Sequence, residues 1–224
     1  MSGLKDLAET SEGMPIAVSP MRGRPRLLDD SARRAMIIKG AHEVFIEHGF
    51  LNTTTAMVAT AAKVSKRSIY EVFANKTELF AAVILQYRRL ILDLPRPVGE
   101  DLPVLETLFL IFRLDIDEAA QREREVILNL LVRESVLIPD LSDYLYEHNI
   151  LRSREDLIEW LGTEAERGRM SVEDPLVCAG MLMDIVFGAL LPRRRIHQVA
   201  ERLQRLEHIK KRLEIFVRGL GGAV

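Results

Sequence analysis

The stretch from Gly49 to Leu79, GFLNTTTAMVATAAKVSKRSIYEVFANKTEL, is compatible with very few folds. Its apolar residues recur at three- and four-residue steps, and a hydroxyl or amide residue stands just ahead of each periodic run. Thr53 or Thr54 caps a short helix that buries Val58, Ala59 and Ala62. Ser65 caps the next, whose Ile69, Val72 and Phe73 point inward, and Asn75 caps another. The small alanines let the following helix approach closely. Two short helices joined by a tight turn, the second opening on Ser65-Lys66-Arg67-Ser68, therefore form the centre of the N-terminal third.

A short helix with cations and hydroxyls in its first turn, braced by an apolar partner, is a shape that a DNA major groove accepts. The charge distribution points the same way. The whole chain carries a net charge of −2, yet residues 22–89 hold 12 Lys+Arg against 6 Asp+Glu, and residues 90–224 hold 18 against 24. Positive potential thus sits on the N-terminal third, and the acidic remainder discourages non-specific wrapping of nucleic acid. Lys66 and Arg67 project from the first turn of the second short helix and are the expected base readers, most simply to guanine N7 and O6.

The pattern Gly-Phe-x-x-Thr-Thr at 49–54, Val-Ala-x-x-Ala-x-Val-Ser at 58–65 and Ile-Tyr-x-x-Phe-x-x-Lys-x-x-Leu at 69–79 resembles the tetracycline-repressor-like (TetR) family. About a dozen positions agree in register over about thirty residues, which is far more specific than a lone short motif. The resemblance implies phosphate contacts from Thr54, Ser68, Tyr70 and Lys76. Thr54 and Lys76 also stand at helix starts, where free backbone N–H groups favour a phosphate. The family usually has glycine in the turn between the short helices, where this chain has Lys63. Either Lys63 adopts the left-handed conformation, at a cost on the order of 1 kcal/mol and with a phosphate within reach, or the turn is built differently. Ahead of the first helix, Arg22, Arg24 and Arg26 form a basic arm kept extended by Pro25 and suited to a minor groove.

The chain reads as all-α throughout. Residues 1–21 form a tail without periodicity, 22–93 a three-helix helix-turn-helix DNA-binding domain, and 94–224 a helical effector-binding and dimerisation domain. The boundary falls at Leu94-Pro95-Arg96-Pro97, where a long helix shared by both parts ends. Beyond it, periodicity predicts helices near 102–118, 121–137, 140–167, 173–191 and 195–219, broken at Pro139, Gly168 and Pro192. The segment 177–191 is apolar nearly all round, and Val199, Leu203, Leu206, Leu213 and Val217 recur at close to 3.5 residues. Together these two helices suggest a homodimer interface, as the resemblance also implies. Phe109, Phe112, Trp160, Met181, Met183 and Phe187 are large or adaptable side chains, expected to line a pocket for a small apolar or aromatic effector.

Other chemistries lack an anchor. The five histidines have no partner cysteines at metal-ligand spacing, and no nucleophile elbow, P-loop or dinucleotide fingerprint occurs, so neither metal, cofactor nor enzymatic activity is expected. A single cysteine, Cys178, fits a reducing cytoplasm, and no apolar run is long enough to span a membrane. The expected function is sequence-specific binding of palindromic operator DNA, as a repressor released by a small molecule. A ligand-independent DNA-binding regulator or an activator is the alternative.

Overall fold

The computed structural model describes residues 30–190 and 199–222, and among these every regular element is a helix. The N-terminal unit comprises α1 (Asp30–Asn52), α2 (Thr55–Ala61), α3 (Lys66–Tyr70) and α4 (Lys76–Ile91). There follow α5 (Val104–Ile111), α6 (Glu118–Leu137), α7 (Pro139–Glu147), α8 (Ser153–Glu166), α9 (Pro175–Leu190) and α10 (Val199–Gly219). The arm residues Arg22, Arg24 and Arg26 and the side chain of Val199 lie outside the described residues.

The local signals resolve as hydrogen bonds. Thr54 accepts from the Met57 amide, Ser65 from that of Ser68, and Asn75 from that of Glu78. Each cap satisfies an amide that has no partner inside its own helix. Gly49 turns left-handed with φ 74° near the end of α1. A side chain there would also collide with α6, because a Cβ would lie 2.9 Å from Glu134 Oε1.

Two helices end where periodicity alone did not place an end. The segment expected as one helix over 140–167 is two, α7 and α8, parted at Asn149 with φ 56°. Asn149 N–H donates to Tyr146 O at 3.0 Å and Ile150 N–H to Leu145 O at 2.8 Å, a Schellman closure without glycine. The helix expected over 102–118 stops at Ile111 in the same way, with Arg113 at φ 51° and Leu114 N–H on Phe109 O at 2.9 Å. Arg124 of α6, only 1% exposed, seals that end by donating to the carbonyls of Phe112 and Arg113 at 2.8 and 3.0 Å. Burial pushes its guanidinium pKa down to about 10, so it remains a cation at neutral pH.

Two apolar cores share α4. The first gathers Ile37 and Phe45 of α1, Val58 and Ile69 of the short helices, Phe73 from the turn after α3, and Phe80 of α4. Phe80 meets Phe45 and Phe50 edge-on, at centroid distances of 5.0 and 5.4 Å. Leu130, Leu141 and Leu145 belong to this core too, so α6 and α7 pack onto the N-terminal unit from beyond residue 94. The second core joins the end of α4 to α5, α8, α9 and α10 through residues such as Ile91, Leu108, Leu161, Leu182 and Leu213. Tyr87 of α4 packs against both cores and stacks on His42 of α1 at 4.1 Å.

The close crossing of α1 and α2 depends on Gly40, where an added Cβ would stand 2.6 Å from the Ala62 amide nitrogen. Gly40→Ala should therefore destabilise the fold by about 1–3 kcal/mol through overpacking. Urea denaturation is the check: the mutant midpoint should fall, although alanine is the better helix former.

Candidate nucleic-acid interface

The tight turn is where Lys63 decides the geometry. Its φ is 54°, its amide donates to Thr60 O at 3.2 Å, and Val64 N–H donates to Ala59 O at 3.0 Å. This is a closure of the kind glycine ordinarily makes, and here lysine bears the left-handed conformation. Its side chain is left exposed at the turn.

Beyond the turn, α3 buries Ile69 and presents its first turn outward. Lys66 is exposed, and the Arg67 side chain is 89% exposed. Arg67 Nε nevertheless donates to Glu71 Oε1 at 2.9 Å, and Arg33 of α1 reaches Glu71 Oε2 at 3.4 Å. Glu71 thus restrains Arg67, and an exposed pair of this kind costs at most about 1 kcal/mol to break. Glu71 is a further residue of this surface, and the only sign of it in the sequence is its spacing of four from Arg67. Ser68 is half-buried with its hydroxyl 2.8 Å from that of Ser65. Tyr70 is 57% exposed, with its hydroxyl 3.2 Å from Thr55 Oγ1, so it is not a core tyrosine and its oxygen faces the same side as the start of α2.

Lys76 requires a correction. Its side chain was expected to hold a phosphate, but its ammonium donates to the carbonyls of Phe50, Leu51 and Thr53 at 2.7, 3.3 and 3.0 Å. Three donors are all that an ammonium has. The group also lies 4.5 Å above the Phe50 ring, and burial lowers its pKa against the opposing pull of Glu134. Lys76 ties the end of α1 to the start of α4; what it leaves for a phosphate is the backbone N-terminus of α4.

The residues expected to line an effector pocket separate. Phe112 is fully buried and meets Phe187 edge-on at 6.0 Å, while Phe109 and Met183 pack half-buried on the same core. Met181 is 49% exposed on the outer side of α9, beside Val177 at 55%, and so lines no interior pocket. Trp160 forms part of a different cavity of 310 Å3, with apolar and charged walls, between α8 and the segment 94–100. Of the expected interface seam, Leu213 and Val217 are 0% exposed inside the protomer's own core and are not available to a partner. Leu203 is 59% exposed and Leu206 half-buried. No group of acidic, histidine and cysteine side chains among the described residues is placed to hold a metal ion, and none of their helices is long and apolar enough to cross a membrane.

A tightly capped pair of short helices that projects Lys66 and Arg67 from an N-terminal unit docked on a larger helical body defines a helix-turn-helix, DNA-binding regulator of transcription. The comparisons agree. The family model for bacterial regulatory proteins of the tetR family matches residues 37–83, and that for the C-terminal domain of AefR-like transcriptional repressors matches residues 115–219. The chain belongs to the TetR family of transcriptional regulators. It is 23% identical over 188 residues to YvkB, an uncharacterised HTH-type transcriptional regulator of Bacillus subtilis, covering 82% of this chain and 95% of that protein. Among solved structures, Salmonella enterica GusR superposes with a TM-score of 0.66 at 19% identity, over 87% of this chain and 98% of that one. The flavonoid-responsive regulator FrrA superposes with a TM-score of 0.57 at 23% identity, over 84% and 97%.

Because Lys76 satisfies three carbonyls, Lys76→Ala should lower the stability of the DNA-free protein by about 1–3 kcal/mol. Denaturation without DNA measures this directly; a side chain that served only a phosphate would leave it unchanged.

Proposed function

We propose that the protein is a repressor that binds palindromic operator DNA as a homodimer and releases it when a small molecule occupies its C-terminal half. The observation that carries the DNA half is the exposed Lys66–Arg67 pair at the start of a braced α3. Those two side chains read base edges. Thr54, Ser68, Tyr70, Lys63 and the N-terminus of α4 contact phosphates and set the register. Arg22, Arg24 and Arg26 add minor-groove or phosphate contacts from the arm.

The dimer forms through α9 and the first part of α10. The exposed Leu176, Val177, Met181 and Leu203 support this reading, as does the absence, among the described residues, of any atom within 4 Å of a Cβ built on Gly188. A two-fold dimer places its recognition helices on half-sites about one DNA turn, or 34–36 Å, apart, which demands a palindromic site. Effector control is supported by the matched C-terminal repressor domain and by the flavonoid response of FrrA. An effector moves the equilibrium only by its differential affinity for the two states. The part of the protein placed to transmit the change is α4, whose two ends lie in different cores.

Selection of genomic fragments retained at moderate salt, followed by sequencing, tests the DNA half. Lys66→Ala and Arg67→Ala should each cost about 1–3 kcal/mol and relax preference at one position per half-site. Thr54→Ala should weaken all sequences alike, and wild-type affinity should fall steeply with salt. Identical base preferences in all three variants would remove the assignment of readers.

Met181→Glu tests the interface. The position is exposed in the protomer, so the fold should survive, but a carboxylate buried without a partner at an apolar contact costs several kcal/mol. Light scattering should find a monomer with weakened operator binding. A mutant that remains dimeric places the interface elsewhere.

A further inference from the structure

The cavity beside Trp160 has a mixed apolar and charged lining, and its charges do not balance. One wall is the segment from Leu94 to Glu100, which continues directly from α4. The other is α8, which contributes Asp156, Glu159, Trp160 and Thr163, the spacing of one helix face. The arginines on its rim are already engaged. Arg96 donates to Asp93 Oδ2 at 2.9 Å and to Glu100 Oε2 at 2.8 Å. Arg167 donates to Glu164 Oε1 at 3.0 Å, and Arg169 binds Leu102 O at 3.0 Å and the Asp101 carboxylate.

The carboxylates are not matched in the same way. Glu164 is 4% exposed, yet its Oε2 receives no hydrogen bond and has only Arg169 at 3.5 Å. Asp156, with its side chain 18% exposed, has only Arg152 Nε at 4.0 Å, and Glu159 has no ion-pair partner among the described residues. Burial pushes the Asp156 carboxyl up, outweighing the opposing pull of Arg152 and Arg88, as expected for an acid short of a close counter-charge. Leu94, Pro95, Pro97 and Trp160 supply apolar surface in the same space. At 310 Å3 the volume sits at the lower end of small-molecule sites, which begin at about 300 Å3.

We propose that this cavity binds a small organic cation, an ammonium or amidinium on an aromatic or apolar body, with Asp156 and Glu159 as its counter-charges and Trp160 as an apolar wall. The ligand bears on α4 because the wall at 94–100 is its direct continuation, held by Asp93 N–H on Ile111 O at 2.8 Å and by Asp93 on Arg96. That consequence, though not the site itself, rests on the effector control proposed above.

Trp160 is the chain's one tryptophan, so tryptophan emission reports on the surroundings of this residue, the cavity on one side and the second core on the other. The protein is titrated with benzamidine, benzyl alcohol and benzoate, three probes with one ring and different charge. Benzamidine should change Trp160 emission saturably at millimolar concentration, with the neutral and anionic probes about tenfold weaker or more. Glu159→Gln and Asp156→Asn should each weaken benzamidine about tenfold. Glu159 is exposed, so its variant carries the test should the Asp156 variant fail to fold. Equal affinity for the three probes, no saturable change with benzamidine, or indifference of binding to Glu159→Gln would overturn the proposal. Fluorescence anisotropy of bound operator DNA, measured in the same titration, separates the two ideas. Benzamidine bound without DNA release supports the site and removes the effector reading. DNA release by a molecule that leaves Trp160 emission unchanged and displaces no benzamidine supports effector control and places it outside this cavity.

Discussion

Burial of one helix in two cores at once is the constraint on which the rest of the molecule depends. Leu79, Phe80, Val83 and Ile84 commit the first half of α4 to the N-terminal core, and Ile91 commits its end to the second, with Tyr87 touching both. Each such side chain contributes on the order of 1.5–3 kcal/mol when fully buried. Protein interiors are close-packed and change by discrete repacking rather than by smooth deformation. A shift of α4 therefore disturbs the support of α3 and the floor of the C-terminal half together. That coupling suits a regulator in which binding at one end must be felt at the other.

The ends of helices show how the remaining polar groups are satisfied. The last turns of α1 and α5 leave carbonyls without a partner inside their own helix, most of them partly or fully buried, where an unpaired acceptor is costly. In both places a cation from another helix closes the gap: Lys76 on Phe50, Leu51 and Thr53, and Arg124 on Phe112 and Arg113. Positive charge is also favourable at a helix C-terminus. These two side chains thus fix interhelical geometry. Thr53 reinforces the first knot, with its hydroxyl on Gly49 O at 2.6 Å, and Glu134 of α6 approaches it from the other side of Gly49.

The DNA-facing surface follows from this rigidity. Only a braced α3 can offer Lys66 and Arg67 to a groove in a constant register, since phosphate contacts fix orientation and base contacts read it. Glu71 holds Arg67 in a defined place on this surface, and under the proposed function it is the partner a DNA site has to displace.

By itself the sequence determined whatever rests on neighbours along the chain. The caps at Ser65 and Asn75, the stop at Gly49 and the break at Gly168 depend on residues a few positions apart and were legible, and the cap of α2 was narrowed to Thr53 or Thr54, of which Thr54 is used. So were the all-α class and the family, because a dozen registered residues carry them. Tertiary structure decided what depends on distant partners. Helix ends at Arg113 and Asn149 close without glycine, and that of α5 is held by Arg124 eleven and twelve residues further on. The residue type of Lys76 said that a cation was present but not that its ammonium turned inward to a helix end 23 to 26 residues earlier. An apolar stripe likewise says that a face is covered, not by what: Leu213 and Val217 face their own core, Met181 faces out, and Trp160 lines a charged cavity. Periodicity records only the side of a helix that avoids water; the partner on that side is chosen by how the helices pack.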